Sequence, residues 1–158
     1  VNNLTGIALT TGKITVKSDG TPWRPTIHVE DDAAAFIRAL EADDDMVNNQ
    51  TYNVGATAEN YQIKNIANAI KKFTECDIEF QNQDPDSRSY RVNCDKITSD
   101  LGFKIKWPLE KSVEELVKRL KEIGLSKEEF DSRKYTRLKQ IKYLIETNKL
   151  DSQLRWIK

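Results

Sequence analysis

The chain has 158 residues, 38% hydrophobic and 32% charged, with 25 basic residues balanced by 25 acidic ones. That is the length of one domain with an appendage and the composition of a globular chain with a modest core, and the balance excludes a global pull towards nucleic acid or an anionic membrane. No apolar run reaches the ~18 residues of a membrane span, nothing at the start reads as a signal peptide, and Cys76, Cys94 and a lone His28 are too few for a zinc site. The expected setting is cytoplasmic, with two reduced thiols.

In chain order, Leu4–Thr10 is short and apolar, the end of a helix or the start of a strand. The opening V-N-N-L-T-G-I-A reads as the tail of one element running into the next. Lys13–Lys17 alternates and is β-rich, a strand. Ser18 to Pro22 is turn chemistry. Thr26–Val29 is predicted as a strand and Asp32–Ala42 as a helix, with Asp31 and Asp32 as caps. Asp43–Asn49 is a surface loop, Gln50–Val54 a strand and Ala56–Tyr61 a loop.

Gln62–Phe73 places Ile63, Ile66, Ala67, Ile70 and Phe73 on one helical face. Asp77–Phe80 is a strand and Gln81–Arg91 a polar loop. Cys94–Asp100 is a short helix closed by Gly102, and Leu109–Ile123 a helix ending at Gly124. Ser126, with Glu129 three positions on, opens another. Asp131–Trp156 is predicted helical with a break near Asn148. Strands alternating with helices over the first hundred residues argue for an α/β fold with a helical tail. The division expected is 1–125 as the α/β domain and 126–158 as a helical C-terminal extension packed on it.

Val1–Ile70 carries five basic and nine acidic residues, and Leu109–Lys158 thirteen and nine, so the halves differ in sign. They can attract each other, or the tail can meet an acidic partner or a second subunit. No G-x-G-x-x-G, G-x-x-G-x-x-G or P-loop is present, so no recognisable phosphate-cradling turn of a dinucleotide fold exists in the sequence. One histidine makes no convincing Ser–His–Asp set.

Arg24 stands at the mouth of a strand–loop–helix unit. It either pairs with Asp19 or Glu30, or holds a phosphate through its planar guanidinium. His28 reads as a structural, hydrogen-bonding histidine. Trp23 shields the phosphate site or packs. Trp107 and Trp156 read as core or subunit-contact residues. Tyr135 and Lys139 fit Tyr-x-x-x-Lys, but that spacing arises by chance in a lysine-rich helix. Tyr135 is read as core and Lys139 as a solvated face.

The segment W-R-P-T-I-H-V-E-D, Trp23 to Asp31, resembles the R-x-x-x-H-V-x-D segment of the extended short-chain dehydrogenase/reductases, the NAD-dependent nucleotide-sugar epimerases and dehydratases. Further pieces follow in that family's order. Asn2-Asn3-Leu4 looks like the Asn-Asn-Leu that meets the nucleotide. Ile14 to Gly20 is similar to the I-x-V-x-G-D-G hairpin whose backbone reads the base, with Lys17 in place of an aromatic and Ser18 in place of glycine. Tyr52-Asn53-Val54-Gly55 resembles the Y/F-N-V-G turn, Ser87-Arg88-Ser89-Tyr90 the D-R-R-Y loop, and Asp95 to Phe103 the S-K-x-x-x-x-L-G-F/W stretch. In the family the Tyr–Lys pair lies upstream of the R-x-x-x-H-V segment, not downstream.

The resemblance implies a small mixed α/β substrate-binding domain of the NAD(P)-binding Rossmann-like superfamily, with the Rossmann half missing. It implies no catalytic residue, metal or cofactor in this chain, and NAD in the intact enzyme. Asn3, Leu4, Thr15, Lys17, Arg24, Arg88 and Tyr90 are the implied substrate-binding residues, and Arg91 is a substitute for Arg88. Tyr90 bonds the base or ribose, or packs. The implied partners are a nucleotide-diphosphate sugar and the missing Rossmann half, with neither nucleic acid nor membrane. The functions open are the substrate-binding portion of an epimerase or dehydratase, one half of a split epimerase, and a non-catalytic interaction module. Monomer and homodimer both stay open.

Overall fold

The computed structural model describes residues 1–82 and 88–157. In chain order these form α1 (Asn2–Thr11), β1 (Lys13–Val16), β2 (Trp23–Pro25), α2 (Val29–Glu41), α3 (Asp44–Val47), β3 (Asn60–Gln62), α4 (Ile63–Thr74) and β4 (Asp77–Phe80). α5 (Asp95–Leu101), α6 (Leu109–Glu122), α7 (Lys127–Phe130) and α8 (Arg137–Glu146) follow. The architecture is mixed α/β. β1 pairs with β4 in parallel, from Lys13 opposite Asp77 to Val16 opposite Phe80. β2 pairs with β3 antiparallel, with Arg24 opposite Tyr61 and Pro25 opposite Asn60.

Two apolar cores result. The alternation of β1 sends Ile14 and Val16 inward, where the inner faces of α1, α4 and α6 meet them through Ala8, Ile66, Ile70 and Val113. Ile14, Ile70 and Val113 are fully buried, each contributing roughly 1.5–3 kcal/mol of transfer free energy. The second core joins Ala35 of α2 to Cys94, Ile97 and Phe103, with Tyr52 and Val54 at its edge. Cys76 and Cys94 are both free thiols, one in each core.

The turn between β1 and β2 is locked by α4. Gly20 and Pro22 carbonyls accept the N–H groups of Lys64 and Ile63, at 2.9 and 3.0 Å, satisfying donors that the first turn of a helix leaves unpaired. Gly20 has φ +81, and a Cβ there would stand 2.5 Å from the Phe80 ring, so both backbone and space require glycine. At Gly6 only space is at issue. A Cβ there would meet the Phe130 ring at 2.2 Å, so the bare face of α1 is the seat on which α7 rests.

Several expected elements differ. The strand expected at Thr26–Val29 lies earlier, at β2, and only one further bond, Thr26 N–H to the Glu59 carbonyl at 2.9 Å, extends its ladder. Helix α2 begins at Val29 instead of Asp32. Its cap is His28, whose Nδ1 accepts from the Glu30 N–H at 3.2 Å. Gln50–Val54 is not a strand, and the expected loop Ala56–Tyr61 ends inside β3. Pairing decides both: β3 has β2 beside it, and the Val-containing stretch has no ladder partner among the described residues. Asp44–Val47, expected as loop, makes one helical turn. The helix expected from Asp131 begins only at Arg137, after turns at 131–135, and ends at Glu146. Beyond Asn148, at φ +53, the tail doubles back so that Leu150 and Trp156 form an antiparallel bridge. Trp156 is 71% exposed and Tyr135 43% exposed, so neither is core.

Two buried carboxylates bind these parts. Asp31, expected as a cap, instead turns inward. Its oxygens accept the N–H groups of Lys106 and Trp107 at 2.8 and 3.0 Å, and the residue is 2% exposed. Glu59 accepts the Leu109 N–H at 2.9 Å and the Tyr61 hydroxyl at 3.0 Å. The connection between the second core and α6 is therefore held by side chains. Asp31→Ala, which strands two N–H groups and a cavity, is expected to lower the unfolding free energy by about 3 kcal/mol, measured by urea denaturation. A loss under about 1 kcal/mol would show that the connection is held elsewhere.

Candidate functional site

The residues singled out in the sequence fall into two groups. Thr15 and Lys17 are exposed on and just beyond β1, in the parallel sheet. Asn3 is exposed on the first turn of α1, and Leu4 packs its side chain against the first core. Val1 and Asn2 line a cleft of about 420 Å³ with Ile27, His28, Trp107 and Leu116. His28 stacks on Trp107 there, with ring centroids 4.6 Å apart, and the Lys111 ammonium lies 4.0 Å from the Trp107 ring. The histidine is a cap and a stacking partner, which agrees with a structural role.

The second group gathers on β2. Arg24 Nη1 donates to the Trp23 carbonyl at 2.8 Å and to the carbonyl of Arg88. Its guanidinium also lies 5.3 Å from the centroid of Tyr90. The loop that carries Arg88 runs along β2: the Trp23 N–H donates to Ser89 Oγ at 3.1 Å, and the Tyr90 N–H to the Trp23 carbonyl at 3.3 Å. Arg91 places its guanidinium 5.0 Å from the centroid of Trp23. The guanidiniums of Arg24 and Arg91, the main chain of Arg88 and the rings of Trp23 and Tyr90, from segments 64 to 68 positions apart in sequence, thus meet at one half-exposed edge. Such an edge supplies cationic, planar donors with aromatic walls, the chemistry that receives a phosphate-bearing ligand. Ser87, part of the D-R-R-Y-like motif, lies outside the described residues.

Polar side chains from the stretch before α4 hold this loop. Asn60 donates to the carbonyls of Val92 and Thr57 at 2.9 and 2.8 Å, and its Oδ1 accepts the Val92 N–H at 2.8 Å. Thr57 Oγ1 accepts the Cys94 N–H at 2.9 Å and donates to Asp95 at 2.5 Å. Asn53 donates to the Asn93 carbonyl at 3.0 Å. None of Asn53, Thr57 or Asn60 stands out as a ligand for the 92–95 loop in the sequence, because small polar residues before a helix read first as turn formers. Asp19 accepts both the N–H and the hydroxyl of Thr21, at 2.9 and 2.7 Å. Tyr135 precedes α8, and the Lys139 ammonium bonds the Asp131 carbonyl, so the Tyr-x-x-x-Lys spacing is not a pair on one helix face.

Electrostatics follow this network. The Asp95 carboxyl sits below the usual carboxylate range because the Thr57 hydroxyl and Asn93 amide donate to it. Burial, then the nearby Asp95 charge, pushes the Cys94 thiol up, which makes it a poor nucleophile. The Tyr61 hydroxyl is pushed up to about 12 by burial and by its bond to Glu59.

Residues 3–55 match the model of the NAD dependent epimerase/dehydratase family, a stretch that includes Arg24. Among solved structures the chain resembles UDP-glucuronic acid 4-epimerase from Bacillus cereus, in complex with UDP-glucuronic acid and NAD. Identity is 19%, the match covers 77% of this chain and 39% of that one, and the TM-score is 0.65. It resembles UDP-glucose 4-epimerase from Thermotoga maritima, with UDP-glucose, at 20% identity, 77% and 39% coverage and TM-score 0.65. L-threonine dehydrogenase from Clostridium difficile stands at 20% identity, 77% and 40% coverage and TM-score 0.66. The chain therefore shares this fold and spans about two-fifths of the length of these structures.

Asp95 offers a direct check on the loop. Its folded pKa is depressed, so its support for the loop is present above the ordinary aspartate value of about 3.9 and is lost as pH falls through the lower folded value. In a carboxyl-detected NMR titration, Asp95 is expected to have its midpoint below that ordinary value. Thr57→Val is expected to move the midpoint upward. An unmoved midpoint would mean that Thr57 does not hold the carboxylate.

Proposed function

We propose that this chain is the C-terminal, nucleotide-sugar-binding portion of an NAD-dependent epimerase or dehydratase, and that it is not catalytically competent alone. The observation that carries the reading is the meeting of Arg24 with the Arg88–Arg91 loop on β2. A nucleoside diphosphate offers two adjacent anionic groups. Arginines from two separate segments can each take one, through charge-assisted bonds of roughly 1.5–3 kcal/mol apiece. The family match over residues 3–55 and the UDP-sugar complexes among the similar structures support the same ligand class. Asn3, Leu4, Thr15 and Lys17 then belong to the nucleotide end of the site.

The described residues do not fit NAD: no strand of the parallel sheet opens into a glycine-rich turn and a helix, the geometry that receives a pyrophosphate. On this reading NAD and the catalytic tyrosine–lysine pair belong to a Rossmann half that is a partner of this chain. The outer side of α2 supports that assignment. Val29, Phe36, Ile37 and Leu40 are 74, 64, 54 and 85% exposed at helical spacing, an apolar stripe that water does not favour. The stretch 51–54 has no strand partner among the described residues. The working place is the cytoplasm, where two free buried thiols stay reduced.

A second reading, an interaction module, draws on the tail. α8, with Arg137, Lys139 and Lys142 in it, buries none of its residues, and Leu138 on it and Trp156 beyond it are 70 and 71% exposed.

The test is a calorimetric titration with UDP, dTDP, GDP and NAD, of this chain and of the Arg24→Ala, Arg88→Ala double variant. One diphosphate nucleotide is expected to bind saturably, to lose at least tenfold in affinity in the variant, and NAD is expected not to bind. Equal binding by the variant would contradict the reading. So would binding of NAD alone.

A further inference from the structure

We propose that Asn60 is the positioning residue of the arginine site, the side chain that sets the spacing between Arg24 and the Arg88 loop; the inference rests on reading that pair as a diphosphate clamp. Its main chain stands opposite Pro25 in the β2–β3 ladder, next to Arg24. Its side chain grips both the N–H and the carbonyl of Val92, at 2.8 and 2.9 Å, four positions beyond Arg88. One residue thus holds both segments. The amide replaces the pair of ladder bonds that a neighbouring strand would give Val92.

The segments also meet through the Arg24 guanidinium, which donates to the Arg88 carbonyl, but that contact involves the ligand-binding side chain itself, and the main-chain contacts beside it are exposed or long. The Ser89 bond to Trp23 is exposed, and the Tyr90 N–H reaches the Trp23 carbonyl only at 3.3 Å. Asn60 is 9% exposed, and its three bonds span 2.8 to 2.9 Å. Hydrogen bonds away from water are stronger, and a buried group deprived of its partner is costly. The third bond, to the Thr57 carbonyl, fixes the amide's orientation, with oxygen towards the Val92 N–H. Asn60 touches no ligand in this account. It acts through the main chain of the loop.

That mechanism has a signature that general destabilisation lacks. A monophosphate needs one arginine, and a diphosphate gains from both only while their spacing is held. The experiment measures UDP and UMP affinities for wild type, Asn60→Ala, Arg88→Ala and the double variant, together with amide exchange in the ligand-free proteins. Asn60→Ala is expected to weaken UDP about tenfold and UMP less than twofold. Arg88→Ala added to it is expected to cost nothing more. Exchange is expected to quicken at 89–93 and not in α4 or α6.

Equal weakening of both ligands, or of neither, would overturn the inference. If wild type binds UDP no better than UMP, the clamp reading itself fails. The tether is then judged by exchange alone: unchanged protection at 89–93 overturns it, and a confined loss sustains it. Should Asn60→Ala fail to fold, Asn60→Asp, which keeps the acceptor for Val92 N–H and removes both donated bonds, carries the same comparison.

Discussion

The constraint on which this structure depends is a shortage of strand pairing. The four strands among the described residues form two separate pairs, each three or four residues long. N–H groups outside those ladders, at loops and at the start of a helix, must still be satisfied once buried. Three side chains meet that need: Asp31 takes the N–H groups of Lys106 and Trp107, Glu59 that of Leu109, and Asn60 that of Val92. Each joins elements far apart in sequence, so the small cores are linked by polar anchors as much as by apolar contact.

The candidate site inherits its geometry from those anchors. β2 is only three residues long, yet it presents Trp23 and Arg24 at a fixed place because β3 pairs with it and α4 locks the turn before it. The second arginine-bearing segment comes from 64 positions away and is laid across β2 by Asn60. The guanidiniums of Arg24 and Arg91 set like charges at one edge. Their proximity to Trp23, Tyr90 and main-chain carbonyls offsets part of that repulsion, and an anionic ligand would offset more.

Much of the chain was legible in the sequence where local chemistry decides. The amphipathic run of α4, the extent of α6, the alternation of β1, the Ser126 cap and the Gly102 stop all depend on neighbours within a few residues. Failures cluster where pairing decides. Gln50–Val54 has strand composition without a partner, and the polar Asn60–Gln62 is a strand because β2 lies beside it. Asp31 shows the same limit: an acid in the first turn of a helix reads as dipole chemistry, and only the fold reveals the two N–H groups behind it. In the candidate site, Arg88 and Tyr90 were singled out by a family motif, and Arg24 by that motif and by its place at the mouth of a strand–loop–helix unit. Asn60 carries no local signal, since its partner is 32 residues away.

The central claim is that a diphosphate is held between Arg24 and the Arg88 loop. The most direct measurement is an NMR titration of the arginine side-chain Nε–H signals with UDP. The account requires the Arg24 and Arg88 signals to shift together, saturating at one equivalent, while those of Arg133, Arg137 and Arg155 in the tail stay still. Shifts confined to the tail arginines, or spread evenly over all of them without saturation, would contradict it.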